Sequence, residues 1–178
     1  YGSDRALEAA WSKGAASAGS SLLSSASRWH FEHQENLKEI CPNSAAGSGA
    51  SVETVVLSRS DQDWKTQLQL PGLTLEDGCD YTLEFEASAD RPGNVRVVSS
   101  LDKSDWRNCG LDEAFHIGPE PRKFRFCFTA GNTERGHVRI SFGVGHAPGR
   151  VRFSGITLVP GARFDGLHGK SLAAKSVS

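Results

Sequence analysis

Between residues 64 and 159 the chain alternates apolar and polar positions in short runs, each ended by a cluster of Gly, Pro, Asp or Asn. The runs cover residues 64–70, 81–87, 95–98, 124–128, 138–142 and 151–158. A repeat of two is the period of a strand with one buried face. The breaks at Gly72, Asp77-Gly78, Arg91-Pro92-Gly93-Asn94, Gly131-Asn132 and Pro148-Gly149 are turn residues, spaced as a meander or Greek key requires. Two more strands are expected over residues 29–32 and 52–57. The pattern therefore predicts an all-β fold, an antiparallel β-sandwich. Tyr81, Leu83, Phe85, Phe124, Phe126, Phe128, Val138, Ile140, Phe142, Val151 and Phe153 share the inward parity and form the expected core. Lys65, Gln67, Gln69, Glu84, Glu86, Arg96, Arg125 and Arg139 fall on the outward face. A polar face on rigid strands suits both plain solvation and hydrogen bonding to a hydroxyl-rich ligand.

Outside these runs the composition changes. Residues 1–28 hold a short stretch with helical character, Asp4 to Trp11, and are then dominated by Ser, Ala and Gly. They read as a linker or the tail of a preceding domain, with Leu22 and Leu23 able to dock on the sandwich. The sandwich takes residues 29–160, and residues 161–178 read as a flexible polar tail. The longest connection expected inside the sandwich spans residues 99–121 and carries Asp105, Trp106, Asn108, Asp112, Glu113 and His116. Loops of this length on a β scaffold often carry binding residues.

Bulk properties narrow the function. A length of 178 residues is enough for one well-buried core. Twenty basic residues against 21 acidic ones leave a net charge of −1, without the basic excess that tracks a phosphate backbone, so nucleic acid is not an expected partner. No apolar stretch approaches the roughly 20 residues that span a bilayer, so no membrane partner is expected either. The absence of Met, initiator included, points to a piece of a longer chain whose targeting signal would lie upstream. Cys41, Cys79, Cys109 and Cys127 have no metal-ligand spacing. Two disulfides in any of three connectivities are compatible with them, and so are four thiols. The pair Cys109 with Cys127 is the favoured bridge.

The order of these runs has a further content. Asp63-Trp64-x-x-Gln67-Leu68 is followed by Leu75-x-x-Gly78-x-x-Tyr81-x-Leu83-x-Phe85-x-Ala87-x-Ala89-Asp90 and Val95-x-Val97. Then come Phe124-x-Phe126-x-Phe128-Thr129, Ile140-x-Phe142-x-Val144-Gly145 and Val151-x-Phe153-x-x-Ile156-x-Leu158. Over residues 29–160 this succession resembles the carbohydrate-binding modules of the four/nine and twenty-two type, galactose-binding-like jelly rolls. The resemblance implies a non-catalytic module, secreted or periplasmic, that holds a glycan chain in a cleft across one sheet or at a loop edge. It also implies a linked glycoside hydrolase or polysaccharide lyase as partner. Members commonly hold a structural calcium with an Asn-Gly-Asp-Phe-like opening strand and an acidic closing strand. Here the last strand reads Phe153-Ser154-Gly155-Ile156, without a carboxylate, so the metal is left unknown and no other cofactor is expected.

Sugar recognition needs flat aromatic faces beside amides, carboxylates or Arg. Trp106, next to Asp105, Arg107 and Asn108, is the leading platform, with anchoring of its loop as the alternative. Trp29, beside His30 and Glu32, could serve as platform or as edge residue. Trp64 is the third available platform, but it shares the parity of Leu68 and Leu70 and is expected in the core. Gln67, Gln69, Glu84 and Arg96 are expected to share one face of neighbouring strands, and Asn108 adds an amide in the loop. Glu84 and Glu86 could place two carboxylates at the roughly 5–10 Å of a glycosidase, but such pairs on a strand are usually solvated, and no Gly-x-Ser-x-Gly, His-Glu-x-x-His or phosphate loop is present. An enzyme is not expected. The alternative to a glycan-binding module is a structural or interdomain module of a larger secreted enzyme, with no ligand of its own. The two differ in whether Trp29 and Trp106 are exposed on the same side as Gln67 and Arg96: a shared cleft supports sugar binding, whereas buried or scattered indoles support the structural role.

Overall fold

The computed structural model describes residues 20–23, 27–33, 37–39 and 51–162. The expected helix near Asp4, the tail beyond residue 162 and Cys41 lie outside them. The strands are β1 (His30–His33), β2 (Leu37–Glu39), β3 (Ser51–Val56), β4 (Thr66–Leu73), β5 (Asp80–Ala89), β6 (Gly93–Leu101), β7 (Asn108–Ile117), β8 (Arg122–Thr129), β9 (Val138–Gly143) and β10 (Gly149–Pro160), with one 3-10 turn at Asp63–Lys65. They form two five-stranded sheets, ordered β1-β4-β9-β6-β7 and β2-β3-β10-β5-β8, with antiparallel pairing throughout. Successive strands repeatedly change sheet, which is how a jelly roll closes two sheets over one core.

The inward residues of both sheets meet in that core. Phe85 lies 5.1 Å from Phe142 and 5.9 Å from Phe153, ring centre to ring centre, so one aromatic side chain bridges the layers. Tyr81, Leu83, Val138, Ile140, Val151 and Leu158 are buried around it, and each such side chain adds about 1.5–3 kcal/mol over an exposed one. Phe124 and Phe126 pack against Phe85 but stay partly exposed, because β8 and β7 are the free edges of their sheets. Leu23 is buried against the sandwich, and the Leu22 N–H donates to the Leu158 carbonyl at 2.7 Å, so the segment over residues 20–23 docks on β10.

Three expectations change here. The connection over residues 99–121 is mostly strand. β6 runs to Leu101 and β7 begins at Asn108, leaving six residues between. Cys109, Leu111 and Ile117 are buried on the inner face of β7, but Glu113, at an inward position, breaks the apolar alternation that would reveal it. Trp29 precedes β1 and lies inside, 5.7 Å from Phe142 and 6.3 Å from Phe153. The Cys109–Cys127 bridge does not form: Cys109 is a free, buried thiol of the first sheet, 3.7 Å from the Asn132 carbonyl, whereas Cys127 sits on the second sheet beside the Thr82 hydroxyl.

Candidate functional site

The outer face of the β1-β4-β9-β6-β7 sheet is built in rows. Glu32, Gln67, Gly143 and Arg96 lie abreast across four strands, and Gln69, Ser141 and Val98 form the next row. Arg139 and Ser100 form the third. Above these rows is a trough of ≈ 470 Å³, within the range of small-ligand sites. Its floor runs along β9 through Gly143, Ser141 and Arg139. Four residues of strand separate the ends, about 13 Å.

A tryptophan stands at each end. Trp64 sits on the 3-10 turn beside the Gly143 end and is 46% exposed. The turn lies flat on the end of β9 because two glycines admit it: a Cβ on Gly143 would come 3.2 Å from the Asp63 carbonyl oxygen, and one on Gly145 would come 2.8 Å from that of Gln62. Gly145 N–H also donates to the Asp63 carbonyl, and the Gln67 side-chain amide donates to the Trp64 carbonyl at 2.6 Å. The expectation that Trp64 is core therefore fails, since strand parity starts only at Thr66, after the turn. At the other end Trp106 stands on the β6–β7 connection, 51% exposed. Its backbone N–H donates to the Lys103 carbonyl at 2.9 Å, and the connection is braced by Lys103 and Arg107 on Glu134. The lysine holds the Glu134 carboxyl below its usual value.

The floor is polar and internally paired. Gln69 is buried and donates to Glu32, while the Arg96 guanidinium grips Asp112 with two bonds of 2.6 Å. Arg139 is 7% exposed, donates to Ser100 Oγ at 3.3 Å and bridges Glu32 and Asp102 at 3.5 and 3.4 Å. The Ser141 hydroxyl, on the floor, has no hydrogen-bond partner. Four carboxylates, those of Glu32, Asp63, Asp102 and Asp112, thus surround two guanidiniums.

Of the residues singled out in the sequence, Trp106, Gln67 and Arg96 line the trough. Gln69 lies under it, tied to Glu32. Trp29 is core. Glu84 does not share this face, because β5 belongs to the other sheet; it pairs with Arg125 at 2.7 Å beside a second recess that no Trp or Tyr lines. The Asn108 amide is spent on its own strand, accepting from Gly110 N–H and donating to Leu111 O. Glu32, Asp63, Arg139 and Ser141 join the site unannounced, although the outward parity of Arg139 marked its face, and Trp64 joins it as a platform rather than as core. Among the described residues no three His, Cys, Asp or Glu side chains converge as ion ligands, and β10 carries no carboxylate at Ser154-Gly155-Ile156.

No family model matches this chain, and no curated protein does. Solved structures do. One described as "CBM4 structure and function" superposes with a TM-score of 0.61 at 19% identity, over 74% of this chain and 86% of the other. The CBM22-1 xylan-binding domain of Paenibacillus barcinonensis Xyn10C gives 0.55 at 8% identity, over 84% and 99%. The family 11 carbohydrate-binding module of Clostridium thermocellum, in complex with a β-1,3-1,4-mixed-linked tetrasaccharide, gives 0.53 at 12% identity, over 84% and 100%. This chain is a jelly-roll β-sandwich with the fold of these carbohydrate-binding modules.

Proposed function

We propose that the trough binds a neutral polysaccharide chain, and that the protein is a non-catalytic module which attaches an associated polysaccharide-degrading enzyme to its glycan outside the cell. The observation that carries this reading is the pair of exposed tryptophans, Trp64 and Trp106, at the two ends of one trough floored by Gln67, Ser141 and Arg96. Indole faces cover the C–H surfaces of a pyranose, and the amide and hydroxyl groups pair with its hydroxyls. Neutrality follows from charge. Arg96 and Arg139 are already matched to carboxylates, so a uronate would meet an acidic surround. The solved structures with this fold include a xylan-binding domain and a complex with a mixed-linked glucan tetrasaccharide, which supports glycan as the ligand class. A second attachment point raises local enzyme concentration on an insoluble substrate.

Affinity electrophoresis in gels containing mixed-linkage β-glucan or xylan tests the site. The parent chain should be retarded in one of them, and Trp64→Ala and Trp106→Ala should each weaken binding about tenfold or more, as loss of an aromatic anchor does. Equal retardation of parent and both variants would remove the trough from the account.

A further inference from the structure

The Arg139 guanidinium lies 4.3 Å from the centre of the Trp106 ring, and Arg139 as a residue is buried, with the indole as part of its cover. It is held from below by Ser100 Oγ and from the sides by Glu32 and Asp102. Trp106 itself has φ 47°, in the left-handed region that side-chain-bearing residues seldom occupy. A large exposed ring on a strained residue of a six-residue connection would sample many rotamers if nothing held it. We propose that Arg139 is a positioning residue, fixing Trp106 by a cation–π stack so that the indole forms a one-sided shelf. One face is sealed by the guanidinium, and the opposite face receives the ligand.

The chemistry favours Arg for this role. Its planar, weakly hydrated guanidinium stacks on an aromatic face, whereas a lysine ammonium is a compact point charge. Glu32 and Asp102 both contact Arg139 Nη1, at 3.5 and 3.4 Å, and Ser100 Oγ accepts from its Nε. The consequence for binding is preorganisation: the ring's rotamer freedom is already lost before a sugar arrives, so less ordering is needed on association. The stack stands on geometry alone, while its use in binding rests on the glycan reading above.

The test uses the full chain labelled with 5-fluorotryptophan, with the Trp106 resonance assigned from Trp106→Phe. In ligand-free Arg139→Met the Trp106 fluorine signal should move toward that of free indole and sharpen, while the Trp29 and Trp64 signals keep their positions. Arg139→Lys should fall between the two, and the double variant Glu32→Gln/Asp102→Asn, which keeps the guanidinium, should leave Trp106 close to its parent position. Affinity for the glycan that retards the parent should fall about three- to thirtyfold in Arg139→Met, the range of a partly desolvated cation–π contact. A Trp106 signal unmoved by Arg139→Met overturns the stack, and parent-like affinity overturns its use in binding. If Arg139→Met loses the fold, the Arg139 Nε–H proton of the parent decides. It should be displaced upfield by the indole and return to an ordinary position in Trp106→Ala, and an ordinary position in the parent overturns the proposal. A parent that binds no glycan sinks the functional reading, while the fluorine and proton signals still decide the stack.

Discussion

Trp106 and Glu53 are each governed by a charged neighbour, in the first case a guanidinium under a ring and in the second two guanidiniums around one carboxylate. The exposed position of Trp106 was open to sequence reasoning because a Trp between Asp105 and Arg107 has no apolar run to join. Trp29 and Trp64 were not legible in this way. A single Trp next to polar residues carries no mark of whether the chain enters a strand or turns over its end, and here that distinction buries one and exposes the other. Glu53, on the outer face of β3, accepts from Arg152 at 2.6 and 3.0 Å and from Arg150. The Arg152 hydrogen bond, with help from Arg150 and against a desolvation cost, holds its carboxyl below the ordinary Glu value. A carboxylate with a lowered folded-state pKa adds stability that is present above its unfolded pKa and lost as pH falls through the folded value. Both arginines are about half exposed, so screening limits the effect to about 0.5–1 kcal/mol. Glu53→Gln should therefore melt below the parent at pH 7, with the gap closing as pH drops below the usual carboxylate range. Thermal melts of both proteins across pH 3–7 check it, and a gap independent of pH would exclude this origin.

At the scale of elements, the strands with clean alternation, β5, β8, β9 and β10, were readable because one face of each meets the core. Three elements were hidden. β2 is only three residues long, β7 lost its alternation at Glu113, and the 3-10 turn before β4 has no propensity signal of its own. What reveals the turn is elsewhere in the chain: glycines at 143 and 145, two apart at the end of β9, mark a close approach of backbone. The dependence can be measured. A Cβ on Gly145 would lie 2.8 Å from the Gln62 carbonyl oxygen and 2.9 Å from that of Asp63, which forces the turn off the sheet. Gly145→Ala should cost about 1–3 kcal/mol, the range of local overpacking, and should weaken glycan binding by displacing Trp64. Calorimetric melting and a binding titration on the same sample check both parts. A variant with parent stability and affinity would show that the turn does not depend on this contact.

For the whole molecule, the sandwich was legible from periodicity, but the sheet to which each strand belongs was not. Period two says which residues share a face of one strand and nothing about which strands are neighbours. That is why Glu84 was grouped with Gln67 and Arg96, although the jelly-roll crossings send β4 and β5 to opposite sheets. The same crossings leave one face with two tryptophans and a paired polar floor, and the other with a charge ladder. The central claim is that the first of these faces binds neutral glycan. Isothermal titration of the full chain with soluble mixed-linkage β-glucan, xylan, mannan and alginate tests it most directly. The account predicts saturable binding to at least one of the three neutral glycans, abolished in the Trp64→Ala/Trp106→Ala double variant, and no heat with alginate. Binding to none of the neutral glycans, or binding that survives loss of both tryptophans, would contradict it.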